Sequence, residues 1–293
     1  MGRVRIATDS VADIPAALAS ELDIAVVPCQ VFFGQEIYDD GVELPPDAFY
    51  QRLAQSSELP RTSQPPVSRF VETYRRLLDV EQAEGVISIH VAGNLSGTVN
   101  AAWAAAQTLP DPSRVEVIDS GLVSMAQGWA VIEAARQAKA GASRTAVSRA
   151  VHESLPRLRA AAMLDTLDNL YKGGRISQVT ATLGTILQIK PLISIQGGQV
   201  EIVDRVRTRS RALRRLESMV RGWGMPAELT VLHTGAQGLA QDLGGLLQDL
   251  IPGRRMMIQP AGSALATHLG LGAVGVVTLL AADAHSRTVG DNG

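Results

Sequence analysis

A single cysteine, Cys29, in 293 residues leaves no intramolecular disulfide to hold the chain together. Lying between Val27 and Val31, it reads as a small buried residue rather than a nucleophile. Aromatic residues make up only 4%, too few for the stacking platforms that grip single-stranded nucleic acid. The net charge of −2 lacks the broad basic excess of a nucleic-acid binder. The longest apolar run, Ala273 to Ala282, is about half of the roughly 20 residues a membrane helix needs. An N-terminus without a signal-peptide core adds the expectation of a cytoplasmic protein with no transmembrane segment. No G-x-x-x-x-G-K-[S/T] phosphate loop occurs, which removes the chemistry a nucleotide- or phosphosugar-binding enzyme would need.

What is there is apolar: 46% of the residues, in a chain long enough for two domains. Residues 1–155 carry 12 Lys and Arg against 19 Asp and Glu, and residues 156–293 carry 15 against 10. The halves are therefore −7 and +5.

The stretch from Gly85 to Thr108 is the organising one. Gly85 to His90 is a β-branched strand, Ala92 to Gly97 a loop of small residues, and Thr98 to Thr108 an alanine-rich helix. Such a loop lets a ligand approach the backbone beside the free N–H groups of a helix start, where Ser96 can donate to an anion. The plainer alternative makes Ser96 or Thr98 the helix N-cap.

Along the rest of the chain, strands at Val4–Thr8, Ile24–Pro28 and Val115–Ile118 alternate with helical segments, which indicates βα units and a mainly parallel sheet flanked by helices. Asp13 is expected to cap a helix over Pro15–Leu22. The polar pairs Asp9-Ser10 and Asp119-Ser120, like Ser96, fall at strand ends, where ligands of such sheets bind. Leu59 to Pro66 holds three prolines and is expected to be an extended loop presenting Thr62 and Ser63, or else a helix entry capped by Ser63 or Ser68. Ala142–Leu158 is a helix bridging to a second domain. Further expected elements are a strand at Ala160–Leu164, a helix ending at Gly173-Gly174-Arg175, a helix over Ser177–Leu187 and a hairpin around Gln196-Gly197-Gly198-Gln199. The expected boundaries are 1–158, 159–283 and a frayed tail at 284–293.

Arg205, Arg207, Arg209, Arg211, Arg214 and Arg215 form one basic cluster. From Thr208 the apolar spacing predicts a helix whose arginines face water, either as a solvated face or as a dock for an acidic partner. Gly270-x-Gly272-x-x-Gly275 is formally a dinucleotide fingerprint, but a β-branched run follows where a helix is required. These glycines fit better as close-approach positions beside His268.

Eight segments in order resemble the DegV family of bacterial fatty-acid-binding proteins: ATDSVADIP at Ala7–Pro15, TSQPP at Thr62–Pro66, LSGT at Leu95–Thr98, VIDS at Val117–Ser120, LDTLDNLYKGGRIS at Leu164–Ser177, IKPLISI at Ile189–Ile195, VRTRSRAL at Val206–Leu213 and THLGLGAVG at Thr267–Gly275. The resemblance implies two α/β domains with a long-chain fatty acid in the cleft between them. It implies a carboxylate held at Thr62 and Ser96, with His268 and Arg175 nearby. It further implies no catalysis and no cofactor or metal in this chain: a separate kinase subunit, supplying ATP and Mg²⁺, would phosphorylate the presented acid. Two departures stand out, Ala92-Gly93-Asn94 where the family carries more serine, and Leu271 where it carries proline. The rival reading is a serine hydrolase using Ser96 and His268, although the serine lacks the G-x-S-x-G elbow.

Overall fold

The structure is a computed structural model that describes residues 3–176 and 189–282. The expected helix Ser177–Leu187 and the tail 284–293 lie outside the described residues. In chain order the strands are β1 (Val4–Asp9), β2 (Ile24–Val27), β3 (Gln30–Phe33), β4 (Glu36–Asp39), β5 (Arg61–Ser63), β6 (Gly85–His90) and β7 (Val115–Asp119). There follow β8 (Leu158–Met163), β9 (Lys190–Gln196), β10 (Gln199–Val206), β11 (Pro226–His233), β12 (Met257–Pro260) and β13 (Val274–Leu280).

The first sheet is parallel, in the order β2-β1-β6-β7. Every residue of β6 is buried, as a central parallel strand covered on both faces requires. The second sheet has six strands, β10-β9-β8-β13-β11-β12, all antiparallel except β11 with β12. A small antiparallel sheet, β4-β3-β5, stands beside them. The chain is thus a mixed α/β protein with a helix-flanked parallel sheet and a second sheet.

Helix Ser124–Lys139 lies between the two large sheets. Twelve of its sixteen residues are buried, because it is apolar nearly all round and so has no face to give to water. Its alanines and Trp129 share one core with Ile6 and Ile87 of the first sheet and Leu232, Val277 and Leu279 of the second. The Trp129 indole N–H donates to Thr230 Oγ1 at 3.1 Å.

Several local expectations are corrected. Asp9, not Asp13, caps the first turn, accepting from the Val11 N–H. Asp13 is instead left-handed at φ 52, and helix Ala16–Glu21 starts after Pro15 with no side-chain cap. Residues 61–63 are not loop: they pair with β3, Thr62 opposite Val31, because the prolines flank the three residues and leave their N–H groups free. Helix Val67–Arg75 begins at Pro66 without help from Ser63 or Ser68. The bridge helix is shorter than expected, Arg144–Ser154 capped by Ser143. A helix missed in the sequence, Ser263–Leu269, carries His268 in its last turn.

Gly128 tests the central packing. A Cβ there would lie 2.5 Å from the Ala12 carbonyl oxygen and 3.0 Å from Met125 Sδ. Gly128→Ala is expected to destabilise the fold by about 1–3 kcal/mol despite the better helix propensity of alanine, read as a lower midpoint in urea unfolding.

Candidate functional site

Past the N-terminal end of helix Ser124–Lys139, between the second sheet and the loops that follow the strands of the first, lies a cavity. Val123 and Ser124 line it. The second sheet makes room by being thin there: Ala162 pairs with Gly275 and Ala160 with Val277, so the floor carries short side chains where Leu158 and Leu279 fill the gap further along. Ile193, Val276 and Leu232 add apolar wall.

Thr62, Ser96, Arg175 and His268, read from four separate segments, all line this cavity. The fold links them directly. Thr62 Oγ1 is 2.9 Å from His268 Nε2. Gly173 passes so close to the imidazole that a Cβ on it would lie 2.5 Å from His268 Nδ1. Arg175 donates through Nη1 to the Gly173 carbonyl at 2.6 Å and through Nε to the Leu95 carbonyl, next to Ser96, at 3.2 Å. Ser96 Oγ lies 2.8 Å from Thr98 Oγ1 and accepts from the Thr98 N–H at 3.3 Å. Neither Ser96 nor Thr98 is the helix N-cap, which is Gly97.

Burial, with the Arg175 charge beside it, lowers the His268 pKa to about 4. The imidazole is therefore neutral at pH 7, and the cationic group of the cluster is Arg175. With the proton on Nε2, His268 donates to Thr62 and leaves the threonine O–H free to point at an anion. His268 Nδ1 is buried with no hydrogen-bond partner among the described residues.

The other strand-end groups serve the fold. The Asp9 carboxylate is 2.9 Å from His90 Nδ1 and accepts from the Val91 N–H and Gln127 Nε2. His90 Nε2 meets Ser88 Oγ at 2.7 Å, and Ser88 accepts from the Tyr74 hydroxyl at 2.9 Å. This Asp-His-Ser set has the members of a triad, but all three are fully buried and none lines the cavity. Asp119 accepts from the Gly93 and Gly121 N–H groups and shapes the Ser96 loop. Ser120 Oγ accepts from the Leu122 N–H. Nor is a hydrolase assembled at Ser96: His268 engages Thr62 instead, and no carboxylate meets its Nδ1.

Two carboxylates have contacts that the sequence reading missed. Asp13 accepts from the Gly262 N–H at 2.8 Å and from Ser124 Oγ at 2.5 Å. Asp40 accepts from the Ser263 and Ala264 N–H groups at 2.9 and 3.2 Å and from Ser10 Oγ at 2.7 Å. Burial raises the Asp13 pKa to about 7. Only the wide sequence separation hid them, since an aspartate beside Gly41 or Pro15 looks like ordinary turn chemistry.

In the basic segment, Arg209 pairs with Asp165, Arg214 with Glu217 and Arg215 with Asp204. Arg205, Arg207 and Arg211 are exposed and have no ion-pair partner among the described residues.

A helix-flanked parallel sheet packed on a second sheet, with a largely apolar chamber beside them and a polar corner of Thr, Ser, His and Arg, makes a mixed α/β protein with a candidate ligand chamber. The family model described as "Uncharacterised protein, DegV family" matches residues 3–280, and the chain belongs to that family. It is 36% identical over 277 residues to a DegV domain-containing protein of Streptomyces coelicolor, covering 94% of this chain and 97% of the relative. A DegV family protein from Thermus thermophilus, whose structure is described for its fatty acid binding, superposes with a TM-score of 0.86 at 31% identity, covering 95% of this chain and 100% of that one. DegV of Bacillus subtilis, described as a fatty acid binding protein, gives 0.86 at 30% identity, covering 96% and 100%. Among the described residues no helix is long and apolar enough to cross a membrane.

Two of the shifted groups, Asp13 and His268, pull stability in opposite directions. Asp13, raised from 3.8 to about 7, binds more protons folded than unfolded between those values, so its contribution falls as pH rises through that window. His268, lowered from 6.5 to about 4, binds fewer, so its contribution falls as pH drops from 6.5 to 4. Asp13→Asn should unmask a loss of stability on acidification from pH 6.5 to 4, and His268→Gln a gain from pH 7 to 4. Urea titrations of both variants at several pH values check this; parallel profiles for the two would refute it.

Proposed function

We propose that this chain binds a long-chain fatty acid in the chamber between its sheets and presents the carboxylate to a separate kinase subunit, which supplies ATP and Mg²⁺ and forms the acyl phosphate. On this reading the chain itself catalyses nothing and works in the cytoplasm, with residues 1–158 and 159–283 as its two domains and the ligand in the cleft between them. The observation that carries it is one cavity with an apolar floor of Ala160, Ala162 and Gly275 and a polar corner uniting Thr62, Ser96, His268 and Arg175. The descriptions of the Thermus thermophilus and Bacillus subtilis relatives as fatty-acid binders support the same ligand class.

The division of labour follows from magnitudes. Each methylene moved from water to the apolar wall contributes about 0.8 kcal/mol, so a long tail dominates affinity. The hydroxyls of Thr62 and Ser96 fix the carboxylate's place, with Arg175 compensating its charge. Ser96 can turn its O–H from Thr98 to the ligand and still accept from the Thr98 N–H. The basic cluster Arg205, Arg207, Arg209, Arg211, Arg214 and Arg215 serves as the docking face for an acidic surface of the kinase. Its unpaired members Arg205, Arg207 and Arg211 carry most of the attraction, since the other three already spend charge on neighbouring carboxylates.

Native mass spectrometry of the purified protein is expected to find a long-chain fatty acid bound. No lipid on extraction, and no palmitate or oleate binding to the stripped protein, would overturn the reading. Charge-assisted hydrogen bonds contribute about 1.5–3 kcal/mol each, so Thr62→Val or Ser96→Ala should weaken binding roughly tenfold or more. Ala162→Phe should exclude long chains while sparing shorter ones, as measured by competition between acids of different length. Arg207→Glu/Arg211→Glu should leave fatty-acid binding intact and slow phosphorylation by a cognate kinase; unchanged turnover would make the arginines a solvated face.

A further inference from the structure

We infer that Asp40, assisted by Asp13, is the positioning residue for His268, acting through the short helix Ser263–Leu269. This rests on the fatty-acid reading only for what His268 does once it is in place.

The helix has seven residues, less than two turns, and a helix that short has little stability of its own in water. Its place must come from what grips its ends. A helix start leaves four N–H groups without intrahelical partners, and here three of them, from Gly262, Ser263 and Ala264, are taken by two carboxylates from far away in sequence. No side chain of the helix's own entry caps it. Asp40 holds two of the three, and its other oxygen is fixed by Ser10 Oγ, which also accepts from the Cys29 N–H at 3.0 Å. Asp40 is buried and Asp13 half-buried, so the Asp40 acceptor acts with little competing water, and both carboxylates face the positive end of the helix dipole.

The far end is held more lightly. Asn169 Nδ2 donates to the Thr267 carbonyl at 3.0 Å, and Gly270, left-handed at φ 71, closes the last turn. His268 sits there, one residue from the end, reaching Thr62 at 2.9 Å. Thr62 and Asp40 both belong to the small β4-β3-β5 sheet or its immediate flank, while His268 comes from the other end of the chain. The carboxylate grip and the Thr62–His268 contact therefore fix the same helix against the same small sheet. Loosening the first frees the helix to slide or rotate, which separates His268 from Thr62 and admits water to the imidazole.

The test reads His268 itself, in protein stripped of lipid, by NMR titration of its imidazole, assigned with His268→Gln. The wild-type ring should titrate well below the ordinary histidine value. In Asp40→Ala its pKa should rise by about one unit or more as the ring becomes hydrated, and Asp40→Asn, which keeps one acceptor for the Ser263 and Ala264 N–H groups, should restore most of the wild-type behaviour. Palmitate affinity, measured separately, should fall about tenfold in the alanine variant, a change equivalent to about 1.4 kcal/mol. A lowered melting temperature with an unmoved His268 titration would overturn the proposal and leave Asp40 a purely structural cap. If Asp40→Ala does not fold, Ser10→Ala, which keeps the carboxylate but removes the hydroxyl that orients it, carries the same reading: a His268 pKa raised by about half a unit supports it, and an unchanged one overturns it. Because the titration needs no fatty acid, wild-type protein that binds no palmitate would sink the ligand assignment and leave the positioning result readable.

Discussion

The gap between the two large sheets is set by one buried helix, and the site exists because that helix stops. A helix with its side chains is about 10 Å across, and over its length Ser124–Lys139 fills the space with Met125, Trp129, Ile132 and its alanines. Beyond its N-terminus the second sheet continues but the filler does not, the strands of the first sheet give way to their following loops at Val11, Val91 and Leu95, and Val123 and Ser124 become wall. Space wide enough for a helix is wide enough for an extended acyl chain. The short side chains of Ala160, Ala162 and Gly275 keep the floor of that space from rising to close it.

The chamber's closing edge is held by polar groups that cross from one part of the chain to the other. Tyr50 donates its hydroxyl to the His233 and Ala261 carbonyls at 3.0 and 2.5 Å, Gln259 donates to the Asp13 carbonyl at 2.7 Å, and the Asp13 and Asp40 carboxylates take the start of helix Ser263–Leu269. The Tyr50 and Asp40 bonds are buried, so each of those broken without replacement would leave an unsatisfied group costing about 1–3 kcal/mol. The strained backbone lies in the same place: Asp13 and Ser124, both left-handed at φ 52 and φ 56, are hydrogen-bonded to each other. Non-glycine residues hold that conformation only where their surroundings over-determine it. The bonds across the edge supply that constraint.

Much of this was legible because it is local. The strand, small-residue loop and helix around Ser96 follow from composition, and the helix from Arg209 follows from Thr208 as a cap and from Ala212, Leu213, Leu216 and Val220 at helical spacing. Thr62, Ser96, Arg175 and His268 could be nominated one by one, and as a set through family resemblance. That His268 Nε2 meets Thr62 Oγ1, 206 residues away, is a tertiary fact. The errors share one cause. Asp13 read as a local cap, residues 61–63 read as loop and the missed helix Ser263–Leu269 are all places where a partner distant in sequence decides the structure: Gly262 for Asp13, β3 for Thr62, and two remote aspartates for the helix of His268.

The residues of this chain at 92–94 and 271 have a physical reason at this level. The hairpin joining β9 to β10 brings Gly198 against the Ser96 loop, where a Cβ on that glycine would lie 3.2 Å from Asn94 Nδ2 and 3.5 Å from the Ala92 Cβ. Ala92 is fully buried, so a hydroxyl there would need a partner that the close contact leaves little room to provide. Gly93 is equally constrained, since a Cβ on it would lie 2.7 Å from Asp119 Oδ2. The loop's small residues are thus consumed in bringing the second sheet down onto the first. Leu271, in place of proline, packs with Tyr50 and Phe49 in the core around Val31, and Gly270 and Gly272 on either side supply the left-handed turns. The loop around Ser96 is built for closeness, with Ser96 as its one side-chain hydroxyl before Thr98, and the other polar groups of the corner come from Thr62, Arg175 and His268.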